Sequence, residues 1–144
     1  MLREEFINAK RIVIKLGTNV LRNSEGEVAI SRIYSFIEDM AKLVKQGKEV
    51  ILVTSGAVGL GKKKLNLEST AEDGVKQACA AVGQSRLMSF YENGFGIYDV
   101  PIAQILLTED DFSLRYRYLS LRTTLNKILE FGVVPIINQN DTVS

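Results

Sequence analysis

A mostly parallel α/β fold, with helices covering both faces of the sheet, is what this sequence predicts, and three observations predict it. Four short apolar runs recur along the 144 residues. Longer segments with apolar side chains spaced three and four apart separate them. Glycine stops the first apolar run and two of the helical segments. Alternation of strand and helix in this manner favours parallel pairing with right-handed crossovers.

The first run, Arg11 to Leu16, reads RIVIKL and halts at Gly17. The second, Glu49 to Val53, reads EVILV and leads into Thr54-Ser55-Gly56. The third, Val100 to Leu107, reads VPIAQILL, and the fourth, Val133 to Ile137, reads VVPII. Runs this apolar fit strands buried on both faces. Between them, residues 31–46 place Ile33, Phe36, Ile37, Met40, Leu43 and Val44 on one helical stripe, with Ser31 as N-cap and Gly47 as stop. Residues 70–92 predict a second helix, with Thr70 as cap and Glu72 and Asp73 in its first turn. Residues 114–131 predict a third, ended by Gly132, and the polar stretch 19–28 a hairpin or loop. The chain stops soon after the fourth strand, where a doubly wound domain ordinarily continues into a covering helix. The expectation is a truncated architecture, residues 1–144 forming one part of a larger domain.

Composition narrows the function. Hydrophobic residues make up 46% and charged residues 24%, the balance of a globular domain. Eighteen basic against seventeen acidic residues leave a net charge of +1, which argues against nucleic acid as partner. No stretch approaches the roughly 20 apolar residues of a membrane span, and the charged N-terminus lacks the apolar centre of a signal peptide. One cysteine, Cys79, cannot form an intrachain disulfide, so a cytoplasmic location is expected. With no histidine, Ser-His, Cys-His and histidine-zinc chemistry are excluded within this sequence. Any catalysis must run on charge placement and backbone dipoles.

Ligands of open parallel sheets bind beyond the carboxyl ends of the strands. There the sequence offers Lys15-Leu16-Gly17-Thr18, Thr54 to Gly59, Thr108 to Asp111, and Asn138 to Asp141. Glycine turns that open a helix present free N–H groups to anionic oxygens, and two such turns suit a phosphoryl group. Lys15, near the end of what reads as a central strand, supplies a point charge beside them, although lysines in apolar runs more often lie on exposed edges. Gly56 to Lys63, GAVGLGKK, approaches the P-loop pattern but has Lys63 where a Mg²⁺-binding hydroxyl belongs, and Lys62 to Lys64 read better as a solvated helix face. Glu109, Asp110 and Asp111 read as an acidic first helical turn, and Asp141 as either a turn former or a ligand for a cation.

Six segments carry a resemblance: RIVIKLGTNVL (11–21), VILVTSGAVGLG (50–61), KQACAAVGQSRLM (76–88), QILLTEDDF (104–112), RYLSLRTTLNKIL (117–129) and GVVPIINQNDTVS (132–144). In this order the sequence resembles the N-terminal half of the glutamate 5-kinase family, a branch of the amino acid kinases. The resemblance implies a three-layer α/β/α sandwich in which the N-terminal half binds the amino acid and the C-terminal half binds ATP. It implies transfer of the ATP γ-phosphoryl group, with Mg²⁺, to the side-chain carboxylate of L-glutamate in proline biosynthesis. It implies Lys15 as the catalytic lysine on the transferring phosphoryl group, Ser55, Asn138 and Asp141 as glutamate ligands, and Gly17, Thr18 and Gly56 beside the phosphates. Proline as a feedback inhibitor and a homo-oligomer are implied as partners. Two positions, Asn19 and Gln139, depart from the family's usual Ser and Glu. The segments supplying the nucleotide loops, a second lysine and a further glutamate contact have no counterpart in these 144 residues, so the chain alone is expected to be inactive or very weak.

Three other readings stand beside this one: another amino acid kinase acting on acetylglutamate, aspartate, carbamate or UMP; the kinase part of a pyrroline-5-carboxylate synthase; and a non-catalytic glutamate- or proline-binding truncated paralogue. The VTSGAVGLG and AAVGQ segments favour the glutamate branch.

Overall fold

A computed structural model describes residues 8–25, 29–107 and 110–138. Four strands, β1 (Arg11–Leu16), β2 (Glu49–Thr54), β3 (Ile102–Ile105) and β4 (Val134–Asn138), form one parallel sheet in the order β1-β2-β4-β3. The helices are α1 (Thr18–Leu21), α2 (Ile30–Lys45), α3 (Ala57–Lys64), α4 (Val75–Ile97), α5 (Asp110–Ser113) and α6 (Arg115–Glu130). The predicted α/β class and parallel sheet are therefore found. The path from β1 to β2 to β3 advances in one direction along the sheet, and the return from β3 to β4 reverses it. With right-handed crossovers, α2 and α4 cover one face and α6 the other.

Register shows how unequal the faces are. Ile12, Ile14 and Leu16 pair with Val50, Leu52 and Thr54, and Leu52 and Thr54 pair in turn with Ile136 and Asn138. Paired residues of parallel strands share a face, and this one is sealed: Ile12, Leu16, Val50, Leu52, Thr54, Val134 and Ile136 are buried. Leu16, Val50, Leu52, Val134 and Ile136 pack with Ile33, Ile37 and Met40 of α2 and with Leu87, Tyr91 and Phe95 of α4 in one cluster. The other face carries Arg11, Val13 and Lys15 of β1, all exposed, with Val13 62% accessible. The buried residue α6 contributes there is Leu129, near its C-terminus.

Several expectations need correction. Among the described residues β1 lies at an edge of the sheet, so Lys15 is not on a central strand there, and RIVIKL is buried on one face only. The stretch predicted as loop after residue 18 begins with a helical turn, Thr18–Leu21. The second long helix starts at Val75, with Gly74 (φ 80°) at its N-cap, not at Thr70. The Ser69 hydroxyl accepts from the Ala71 N–H at 3.1 Å, a local turn that competes with helix initiation. α2 begins before Ser31, with Ala29 at its cap and its carbonyl accepting from Arg32 and Ile33. The third and fourth strands are displaced by one or two residues from their predicted limits.

The GAVGLGKK segment is no P-loop. Only Gly56 precedes the helix, and Gly61, Lys62 and Lys63 lie within α3. Of the two glycines inside the helix, Gly61 serves packing. A Cβ on Gly61 would run into the Cys79 carbonyl, and one on Gly83 into the Ala57 carbonyl, so α3 and α4 touch backbone to backbone. Lys63 and Lys64 are exposed on the outer side, as a solvated helix face requires. Among the described residues no helix is long and apolar enough to cross a membrane.

Candidate functional site

Two turns meet where β1 and β2 end. Gly17 leaves β1 in extended conformation (φ −78°, ψ 166°), and its carbonyl accepts from Val20 at 3.1 Å and Leu21 at 3.3 Å, winding the turn of α1. The Arg32 guanidinium donates to the carbonyls of Val20 at 3.2 Å and Arg22 at 2.7 Å, tying that turn to α2. The backbone N–H of Ser55 donates to the Leu16 carbonyl at 3.2 Å, which locks the second turn to the first. The Ser55 hydroxyl lies 3.5 Å from the same carbonyl.

Gly56 then adopts φ 112°, a left-handed conformation that costs glycine little and other residues much. It turns the chain directly into α3, whose first N–H groups have no partner inside the helix. These groups face the carboxyl edge of the sheet, with the helix dipole behind them. This edge can hold an anion without any ionisable side chain.

On the sealed face just below the edge, the Thr54 and Tyr91 hydroxyls share a buried 2.6 Å hydrogen bond. Burial pushes the Tyr91 phenol up to about 12, against a smaller lowering by the Thr54 bond. This contact fixes the distance between α4 and β2 at the level of the site. Asn138 pairs with Thr54, so its side chain lies on the same face. Its amide nitrogen and oxygen are buried without a hydrogen-bond partner among the described residues, and the same holds for Gln84 on α4.

The residues singled out from sequence are distributed as follows. Gly17, Ser55 and Gly56 converge at the carboxyl edge of β1 and β2, and Asn138 lies at the same edge one strand further on. Lys15 pairs with Val53 and sits one residue below the edge, exposed on the opposite face from Asn138. Asp141 and Glu109 lie outside the described residues, as does the Thr18 side chain. Asp110 opens the short helix α5, as an acidic first turn should, and lies 3.7 Å from Arg117.

Sequence reasoning passed over Gln84 and Tyr91. The signal was present: Cys79, Ala80, Gly83, Leu87 and Tyr91 mark the buried stripe of α4, and Gln84 interrupts it with an amide. It also passed over a cavity of about 310 Å³ at the end of β3, bounded by Gln104, Asp111, Arg117 and Ser120. A second cavity, about 400 Å³, lies at the amino edge of the sheet around Lys10, Lys48 and Glu49. There Glu49 pairs with Arg11 at 3.1 Å and Lys48 holds the Ala9 carbonyl at 2.6 Å, contacts that anchor the start of β1.

Comparison with known proteins matches residues 10–144 to the model of the amino acid kinase family. The chain is 49% identical over 144 residues to a glutamate 5-kinase of Desulfotalea psychrophila, covering 99% of this chain and 38% of that protein. It is 44% identical over 144 residues to one from Pelobacter propionicus, covering 99% of this chain and 39% of that protein. It is 48% identical over 135 residues to one from Geobacter metallireducens, covering 93% and 36%. The chain thus spans well under half the length of these relatives. Among solved structures, isopentenyl phosphate kinase superposes with a TM-score of 0.57 at 13% identity, over 90% of this chain and 57% of that one. UMP kinase from Ureaplasma parvum superposes with a TM-score of 0.55 at 17% identity, over 90% and 55%. At such identities these structures speak to the fold, and they share it.

Proposed function

The chain belongs to the amino acid kinase family, and we propose that it is the amino-acid-binding part, residues 1–144, of a kinase that phosphorylates the side-chain carboxylate of L-glutamate. The observation that carries this reading is identity of 44–49% to relatives named glutamate 5-kinase along essentially the whole chain. Structural neighbours that act on other phosphoryl acceptors stand at 13% and 17%.

The chemistry suits the residues at hand. A side-chain carboxylate, with an ordinary pKa near 4, is ionised at neutral pH and needs no general base, so a chain without histidine is not handicapped. Phosphoryl transfer depends on alignment and on spreading negative charge over fixed donors. The turn N–H groups at Gly17, Thr18 and Gly56 face the phosphates, and the long Lys15 side chain reaches the transferring group from the exposed face. Ser55, Asn138 and Asp141 hold glutamate, with Asp141 opposite the ammonium. Magnesium, arriving with ATP, supplies charge neutralisation on the phosphates. No group of three or more His, Cys, Asp or Glu residues suited to a metal converges among the described residues, so we assign no magnesium ligand here. ATP itself is bound mainly by the part of the relatives that this chain does not span. Feedback by proline, a homo-oligomer and a cytoplasmic location belong to the same proposal.

Calorimetric titration of the chain with L-glutamate, L-aspartate, N-acetyl-L-glutamate and UMP tests the reading. Saturable binding of L-glutamate, and at least tenfold weaker binding of the others, is expected. Preference for any other member of the panel would replace the assignment. With ATP, Mg²⁺ and hydroxylamine, the chain alone should yield little or no glutamyl hydroxamate.

A further inference from the structure

Four buried amide atoms, the nitrogen and oxygen of Gln84 and of Asn138, lack a hydrogen-bond partner among the described residues. Buried amides left unpaired are costly and uncommon, and two at one end of a domain call for an explanation. Both lie on the sealed face at the carboxyl edge. Asn138 is placed there by its pairing with Thr54, whose hydroxyl meets Tyr91 at 2.6 Å. Gln84 precedes Tyr91 by seven residues, two helical turns, and therefore shares its face of α4 about 10 Å further along the axis. Because α4 leads back to the start of β3, that displacement runs outward past the ends of β2 and β4. Gly83, the neighbour of Gln84, rests on the Ala57 carbonyl, which anchors this turn of α4 beside the Ser55-Gly56 turn.

We propose that Gln84 is a substrate-binding residue, and that with Asn138 it forms a neutral amide pair holding the head group of the amino-acid substrate. This rests on the amino-acid-binding reading given above. Each amide offers two donors on nitrogen and an acceptor on oxygen. An amino-acid head group presents the complementary set, a carboxylate that accepts and an ammonium that donates. Neutral amides satisfy both without adding net charge to a site that also receives phosphate.

The experiment compares L-glutamate affinity by calorimetry, and melting temperature without ligand, for the wild-type chain, Gln84→Met and Gln84→Asn. Methionine keeps the length and removes the amide, whereas asparagine keeps the amide and withdraws it by one methylene. Gln84→Met is expected to bind L-glutamate at least tenfold more weakly while melting a few degrees higher, because an unpaired buried amide has been removed. Gln84→Asn, which carries the test should the methionine variant fold poorly, is expected to lose affinity to an intermediate degree. If the wild type binds L-glutamate and both variants bind within twofold of it, the role of Gln84 is refuted and the substrate reading stands. Unchanged affinity with a lowered melting temperature refutes it too, by showing Gln84 to be structural. A wild-type chain that binds no L-glutamate overturns the substrate reading and this inference with it.

Discussion

The two faces of the sheet differ more than any other two regions of this molecule. One is sealed by α2 and α4 over Leu16, Val50, Leu52, Val134 and Ile136, and contains at its upper edge a buried hydroxyl pair and amides that have no partner among the described residues. The other is covered by α6 near β4 and leaves Arg11, Val13 and Lys15 exposed on β1. If the proposed function holds, the contrast separates two chemical tasks. Neutral, desolvated groups on the sealed face suit recognition of a small zwitterion, where every unpaired polar atom penalises a wrong ligand. On the proposed reading, the exposed Lys15 side chain, long and flexible by its chemistry, supplies the point charge for the phosphoryl group. The turns at Gly17 and Gly56 lie on the edge shared by both.

Substitutions can break this comparison. The largest effect is expected at the α3–α4 contact. Gly83→Ala sets a methyl against the Ala57 backbone, which cannot swing aside as a side chain would. A loss of about 3 kcal/mol or more is expected in urea unfolding, at the upper end of overpacking costs. Next come substitutions on the two faces. Leu52→Ala, in the sealed core, should cost about 2–5 kcal/mol, whereas Val13→Thr on the open face should stay within about 0.5 kcal/mol. Equal losses at the two positions would show that the far face of β1 is covered in solution.

A smaller, pH-dependent effect belongs to Tyr91. Its phenol titrates near 10 when unfolded and at about 12 when folded, because burial disfavours the phenolate. Below pH 10 both states hold the proton and the group adds no pH dependence. Between pH 10 and about 12 only the unfolded state releases it, so stability falls as pH rises, by up to ~3 kcal/mol. Tyr91→Phe should remove that component of alkaline destabilisation, at a cost of about 1 kcal/mol at neutral pH for the lost bond to Thr54.

Much of the sealed face could be read from the sequence. The stripe Ile33, Ile37, Met40 and the limits of β1 and β2 follow from periodicity, which reports the side chains that must leave water. Strand order cannot be read in this way, since an apolar run does not say which neighbours it acquires: the sequence suggests a central strand for Lys15, whereas among the described strands β1 is an edge. Helix starts were misjudged where local geometry outweighed capping preference, as at Gly74, whose positive φ sets the start after the plausible Thr70. Gln84 escaped notice because an amide in an apolar stripe is unremarkable until its hydrogen bonds are counted.

The central claim is that the amino acid binds at the carboxyl edge on the sealed side. Backbone NMR of the ¹⁵N-labelled chain during titration with L-glutamate tests it most directly. The account predicts saturable shifts concentrated at Ser55, Gly56, Gln84 and Asn138, with Val13 and the amino-edge residues Lys48 and Glu49 unmoved. Shifts centred instead on the cavity at Gln104, Arg117 and Ser120, or no saturable shifts at all, would contradict it.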